Sequence, residues 1–312
     1  MDFTHEPVQL DAIVEVFATV PPGTVVDATV GGGGHAAALL ERHAHLAVLG
    51  IDRDADAREA ANARLAPFGA RATVVAGRFD RIAELVAEHD VAPISGALFD
   101  LGVSSPQFDR PERGFSYHHD GPLDMRMDRS EHPTAADVVN DYDESALRDV
   151  LRRYGDERFA SRIAAAIVAH RPLTSTTQLA DVVAAATPAP ARRRGGHPAR
   201  RTFQALRIEV NRELDVIGPA LAQAITITAA GGRVAVLSYH SGEDRIVKEL
   251  FRKAAGDCDC PPGLPCGCGA ADAATVRPVR VKRTTDPSDP NRRARSARLR
   301  VVERIESLLE QR

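Results

Sequence analysis

Asp100 ends the apolar run Leu98-Phe99-Asp100 and is followed by Leu101-Gly102-Val103-Ser104-Ser105-Pro106-Gln107. A carboxylate at the carboxyl end of a parallel strand points into the crevice where open α/β sheets bind ligands. Pro106 fixes the backbone beside it, because proline locks φ and biases Ser105 towards an extended conformation. Carbonyls held by such a turn, together with the Asp100 carboxylate, can accept hydrogens from an amino group. The chemistry they suggest is on an exocyclic nitrogen.

A second constellation lies earlier, in D-A-T-V-G-G-G-G-H-A-A-A-L-L from Asp27 to Leu40. The glycines Gly31 to Gly34 permit positive φ and close backbone approach to a ligand. A helix starting near His35 would present unbonded N–H groups. Asp52 follows Gly33 by 19 residues, the position from which an acidic side chain takes ribose hydroxyls in this architecture. Gly31-x-Gly33-x-x-Ala36 also fits a dinucleotide fingerprint, so a nicotinamide oxidoreductase has to be weighed. Asp27, at the strand-to-loop junction, would repel a pyrophosphate but welcome a sulfonium or an amino group. With Asp100 aimed at the cleft, the balance favours S-adenosylmethionine.

The elements that must position these residues are legible as short apolar runs. Strands are expected at Thr24–Ala28, His45–Ile51, Ala72–Ala76 and Gly96–Phe99, with helices between them at Ala36–Arg42 and Ala55–Leu65. Strand alternating with helix at this spacing implies a doubly wound sheet. A comparable strand returns only at Arg233–Leu237, a gap too long for one crossover, so a second unit is inserted. Helical patterns at Glu144–Arg153, Glu157–His170, Thr177–Ala186 and Thr202–Ala230 make that unit all-helical, and Thr187–Arg201 reads as a disordered loop. The expected division is a catalytic domain at 1–110 plus 203–312 and a helical domain at 111–202.

Composition bounds the partners. With 312 residues, 44% of them hydrophobic, the chain can bury a large core, and a net charge of −3 excludes a wholly polybasic protein. Basic residues are concentrated instead: Arg148 to Arg212 carries 13 arginines against 5 acidic residues, and Val276 to Arg304 carries 10 basic against 3 acidic. Solvated faces and contacts to an anionic polymer are equally good readings of these runs. The amino-terminal sequence has no signal-peptide character and no stretch is long and apolar enough to span a bilayer, so a cytoplasmic location is expected. Cys258, Cys260, Cys266 and Cys268 form a tight group, C-D-C-P-P-G-L-P-C-G-C-G. Four thiols could hold zinc, but C-x-C pairs are tighter than the usual knuckle spacing, so reduced thiols are preferred and no metal ligand is assigned.

Taken together, H-E-P-V-Q-L, D-A-T-V-G-G-G-G-H, G-I-D-R-D, G-R-F and F-D-L-G-V-S-S-P-Q-F-D resemble the RsmH (MraW) methyltransferases of bacteria. So do E-R-G-F-S-Y, D-G-P-L-D-M-R-M-D, L-R-I-E-V-N-R-E-L and S-Y-H-S-G-E-D-R-I-V-K, in order over nearly the whole chain. The resemblance implies an α/β class I (Rossmann-like) methyltransferase sheet with an inserted all-helical, arginine-rich domain for RNA recognition. It implies methyl transfer from S-adenosylmethionine to N4 of one cytidine in the decoding centre of 16S rRNA, within the small ribosomal subunit. A homodimer stays open. By the same resemblance the cofactor-binding residues are Gly33, Gly34, His35, Asp52, Phe79, Asp100 and Gln107, and the catalytic candidates are Asp100, Asp124 and His240. Plainer readings stand beside two of these: Asp124 as part of a capped loop, His240 as a hydrogen-bonded structural histidine. A catalytically silent RNA-binding or assembly factor is the second reading of the whole. An intact glycine loop with Asp52 and Asp100 speaks against it.

Overall fold

The computed structural model describes residues 7–102, 108, 110–194, 196–258, 260, 268, 270, 273–281, 295 and 297–306. The chain forms two compact units, one from Met1–Gly102 with Leu214–Arg312 and the other from Val103–Glu213.

The first unit is built on strands β1 (Gly23–Asp27), β2 (Leu46–Asp52), β3 (Ala72–Ala76), β4 (Ile94–Asp100), β5 (Thr228–Ser238), β6 (Val276–Val279) and β7 (Arg298–Arg304). Among the described residues they form one seven-stranded sheet in the order β3-β2-β1-β4-β5-β7-β6. β1 to β5 run parallel, and β7 is antiparallel to both β5 and β6. The order reverses between β1 and β4, and such a switch point opens a crevice at the strand ends. Asp27 and Asp100 close those two adjacent strands, with Asp27 in register with Leu98.

Valine-rich runs become these strands because both faces are covered. Val25 packs on one side with Phe17, Leu39, Leu40 and Leu65, from helices α1 (Leu10–Phe17), α2 (Gly34–Arg42) and α3 (Ala55–Leu65). Val26 packs on the other side with Ile82, Leu85, Leu221 and Phe251. Those residues belong to α4 (Ile82–Glu88) and to two later helices, at Glu213–Ile227 and Ser241–Ala254. Val25 and Val26 are both fully buried. No helix among the described residues is long and apolar enough to cross a membrane.

The second unit contains α5 (Ala135–Asp141), α6 (Glu144–Gly155), α7 (Ala160–Ala169), α8 (Thr176–Ala186), α9 (Ala189–Arg194) and α10 (Arg200–Asn211). Its core joins Val138, Leu147, Leu151, Ile163, Ile167, Leu179, Val183 and Leu206. Capping is explicit in the sequence: Thr134 with Asp137 and Ser175 with Gln178 form capping boxes, and Asp143 caps α6. Two expectations are corrected here. Ala189–Arg194, expected within a disordered loop, form a short helix. The single helical pattern over Thr202–Ala230 is broken at Arg212, whose φ of 50° is left-handed, giving α10 and α11 (Glu213–Ile227).

The basic carboxyl-terminal run is also used differently. Arg298 and Arg300 bind the buried carboxylate of Asp244, on α12 (Ser241–Ala254), at 2.6 and 2.7 Å. Arg277 and Arg233 share Glu303, and Arg304 donates to the carbonyls of Thr275 and Ile305. These arginines hold the antiparallel edge of the sheet together. Part of the charge that reads as a polymer-binding tail is therefore spent inside the fold.

Candidate active site

The glycine loop joins β1 to α2 and is tied to the strand ends by its backbone. The Ala28 N–H donates to the Leu98 carbonyl, and the Val30 N–H to that of Ile51. Gly33 is the N-cap of α2 at φ 76°, a left-handed conformation that a side chain would strain. At Gly34 a Cβ would lie 2.4 Å from the Pro7 ring, so this helix start admits no side chain without displacing the amino-terminal segment.

Asp52 braces the same loop. One carboxylate oxygen accepts the Gly31 N–H and the other the Asp54 N–H, both at 2.9 Å. Burial raises its pKa, while these two amides pull it back. Each oxygen retains a second lone pair for a hydroxyl donor. Phe79 follows β3 and meets Phe99 edge to face, 5.8 Å between ring centres.

At the tip of β4, Asp100 is fixed from several directions. Its N–H donates to Thr29 Oγ1 at 2.7 Å. The Tyr239 hydroxyl donates to Asp100 Oδ1 at 2.5 Å, and His35 Nδ1 lies 3.7 Å from Oδ2. His35 is buried, with Nε2 at 3.0 Å from the Val8 carbonyl. That carbonyl can only accept, so Nε2 carries the hydrogen. Asp100 itself keeps about a quarter of its side-chain surface exposed (27%), so it can still meet a ligand. Tyr239 and Thr29 are the residues that sequence reading misses. Tyr239 follows the Leu237 that pairs with Asp100 by two positions, which puts both on one side of the strand.

Asp27 completes a group of three carboxylates at the ends of β1, β2 and β4. It is almost fully buried, and burial first, then the charges of Asp100 and Asp52, push its pKa up to about 8 against the help of the Thr29 N–H. Three carboxylates so placed favour a cationic ligand, which fits the sulfonium and ammonium of S-adenosylmethionine and does not fit a pyrophosphate. A buried acid that titrates near 8 instead of 3.8 binds its proton more tightly in the folded state. Stability should therefore fall as pH rises through that interval and be lowest above it. Asp27→Asn is expected to raise the melting temperature at pH 8.5 and to leave it unchanged at pH 4. Thermal denaturation of both proteins across this range checks it, and parallel curves would show that Asp27 carries its charge throughout.

His240 and Asp124 each have partners within their own unit. His240 is the N-cap of α12: Nδ1 accepts the Gly242 N–H at 3.2 Å, and Nε2 lies 3.1 Å from the buried carboxylate of Glu243. Glu243 in turn accepts the Tyr239 and His240 N–H groups. The cap thus fixes Tyr239, and through it Asp100. Asp124 belongs to the helical unit, where Arg126 grips its carboxylate at 2.7 and 2.9 Å. Burial alone would raise its pKa, but Arg126 holds it below the usual range. Asn211, from L-R-I-E-V-N-R-E-L, clasps the same turn through the Met125 carbonyl and the Met127 N–H. Gln107 and the carbonyls of Ser104–Pro106 lie outside the described residues.

Residues 2–305 match the profile of the MraW methylase family. The chain belongs to that family. It is 49% identical to the ribosomal RNA small subunit methyltransferase H of Symbiobacterium thermophilum over 98% of both chains. It is also 49% identical to the enzyme of that name from Thermobifida fusca, over 96% of this chain and 93% of the other. Among solved structures, an rRNA methylase from Streptococcus thermophilus aligns with 95% of this chain and 94% of its own, at 14% identity and a TM-score of 0.40. As a MraW methylase the chain takes S-adenosylmethionine as its cofactor. The β1–α2 loop, Asp52 and the acid group at the strand ends are the parts of the protein that suit it.

Proposed function

We propose that this MraW methylase transfers a methyl group to the exocyclic N4 of a cytidine in the decoding centre of 16S rRNA, within the small ribosomal subunit. The observation that carries the reading is Asp100, a partly exposed carboxylate at the β4 tip, oriented by Tyr239 and flanked by His35. Gly33, Gly34, His35, Asp52 and Phe79 hold the cofactor. When bound, S-adenosylmethionine supplies a methyl group already activated by a positively charged sulfur.

The protein's own work is on the amine. Its lone pair is delocalised into the ring, so it attacks poorly unless oriented. Asp100 accepts one amine hydrogen, which lets the nitrogen pyramidalise and withdraw its lone pair from the ring towards the methyl, and it takes that proton as the N–CH₃ bond forms and the S–CH₃ bond breaks. Alignment of this kind contributes up to about 7–11 kcal/mol in intramolecular reactions. Reaching the pocket requires the cytidine to leave its stack. In the helical unit, Arg158, Arg162, Arg192 and Arg200 are exposed, and Tyr117 stacks on His197 with 4.5 Å between ring centres. Exposed arginines and a stacked aromatic pair suit RNA phosphates and bases.

The test is methyl transfer from labelled S-adenosylmethionine to small subunits from cells lacking the gene, followed by nucleoside mass spectrometry. N4-methylcytidine should appear and depend on the added protein. Label in another nucleoside, or none despite stabilisation by S-adenosylhomocysteine, would reject the assigned base.

A further inference from the structure

Among the described residues, the cysteine group is the one cluster of thiol ligands outside the methyl-transfer site. Its sequence, from Cys258 to Gly269, contains four cysteines, three prolines and three glycines among twelve residues, with Leu264 as the sole large apolar side chain. The residues on either side of this stretch are anchored. On the α12 side, the Gly256 and Asp257 N–H groups donate to the Lys253 and Arg252 carbonyls at 3.0 and 3.1 Å. On the β6 side, the Thr275 N–H donates to the Ala254 carbonyl at 2.9 Å, and the Thr275 carbonyl accepts from Ile305 N–H and Arg304. The base of the connection is closed against β7.

At this closed base the sulfurs of Cys258, Cys260 and Cys268 all lie within 4.8 Å of one another. Two belong to the first C-x-C pair and one to the second, so residues eight or more positions apart converge. Neutral thiols attract one another weakly. A disulfide joins only two sulfurs, at about 2.05 Å. A tetrahedral zinc ion, with Zn–S bonds near 2.3 Å, sets its sulfur ligands about 3.8 Å apart, which this group reaches with a small contraction. Soft thiolates select zinc over the hard cations that accompany RNA.

We propose that Cys258, Cys260 and Cys268 are thiolate ligands of a structural Zn²⁺ that closes the connection between α12 and β6. Binding exchanges three S–H bonds for three Zn–S bonds and releases three protons to solvent. Close C-x-C spacing argues for reduced thiols when read along the chain. Convergence of Cys268 on Cys258 and Cys260 in space outweighs it.

The experiment uses the full chain, expressed without an affinity tag and purified under reducing conditions without chelator. Elemental analysis should find about one zinc per chain, as a closed structural site retains its ion. Cys258→Ser/Cys268→Ser should fall below about a tenth of that while S-adenosylhomocysteine still raises its melting temperature. Zinc below a tenth of an equivalent in the unaltered protein, or zinc retained in the double variant, would overturn the site. Should the variant fail to fold, Co²⁺ exchanged into the unaltered protein decides. Intense near-ultraviolet thiolate-to-cobalt absorption supports the site; weak absorption, or rapid titration of every cysteine by a thiol reagent with or without chelator, rejects it.

Discussion

Asp100→Asn should lower methyl-transfer turnover at saturating cofactor by at least about 100-fold, the range for loss of a positioned acid–base group. The asparagine has the same shape, and its oxygen can still receive the Tyr239 hydroxyl. It loses the charge, however, and its NH₂ is a donor where the amine needs an acceptor. Rotation of the side chain is restricted, because Tyr239 and His35 flank it on the protein side. Affinity for S-adenosylhomocysteine, read by calorimetry, should change by less than about tenfold, since one interaction to a partly exposed group is at stake. Normal turnover would remove Asp100 from the chemistry. A large affinity loss with unchanged turnover at saturation would make it a cofactor ligand alone. Tyr239→Phe should show a smaller loss in the same direction, because it frees the carboxylate to rotate without removing it.

The sheet was readable because its strands obey local rules. Ala72–Ala76 and the helix Ala55–Leu65 coincide with expectation, and the other early strands shift by a residue or two at their ends. Alternating valines buried on both faces leave few other conformations for such runs. The antiparallel strands β6 and β7 were not legible. Arg277, Arg298 and Arg300 look like a solvated or polymer-binding charge run until the fold brings Glu303 and Asp244 to them. Tertiary ion pairing leaves no periodic trace. Nor could the break at Arg212 be seen, because it depends on one left-handed residue between two good helices. In the site, Asp52 and Asp100 stand where strand ends must put them. Tyr239 was passed over for its neighbour His240, since histidine advertises acid–base chemistry while the alternation of β5 decides which side chain faces β4. His240 instead caps α12, a role set by Gly242 and Glu243.

Asp52→Ala should weaken binding of S-adenosylhomocysteine by about 100-fold while leaving turnover at saturation within about threefold. Two losses combine. The carboxylate accepts the Gly31 and Asp54 amides, so its removal loosens the β1–α2 loop at the end of β2, leaving the Val30 amide on the Ile51 carbonyl there. It also removes the remaining lone pairs that suit a ribose hydroxyl. A hydrogen bond to a charged group contributes about 1.5–3 kcal/mol, and 2.7 kcal/mol corresponds to roughly 100-fold in affinity. Asp52→Asn separates the two losses: its oxygen can keep the Gly31 amide while the NH₂ opposes Asp54 N–H, so an intermediate affinity is expected. Equal effects of the two substitutions would assign the whole loss to charge. No effect of either would place the cofactor away from this loop. The loop also explains why turnover should survive. The Asp100 carboxylate is held by Tyr239 and β4, neither of which belongs to the loop that Asp52 braces, so once the cofactor is forced on by concentration the acceptor at the β4 tip is unchanged.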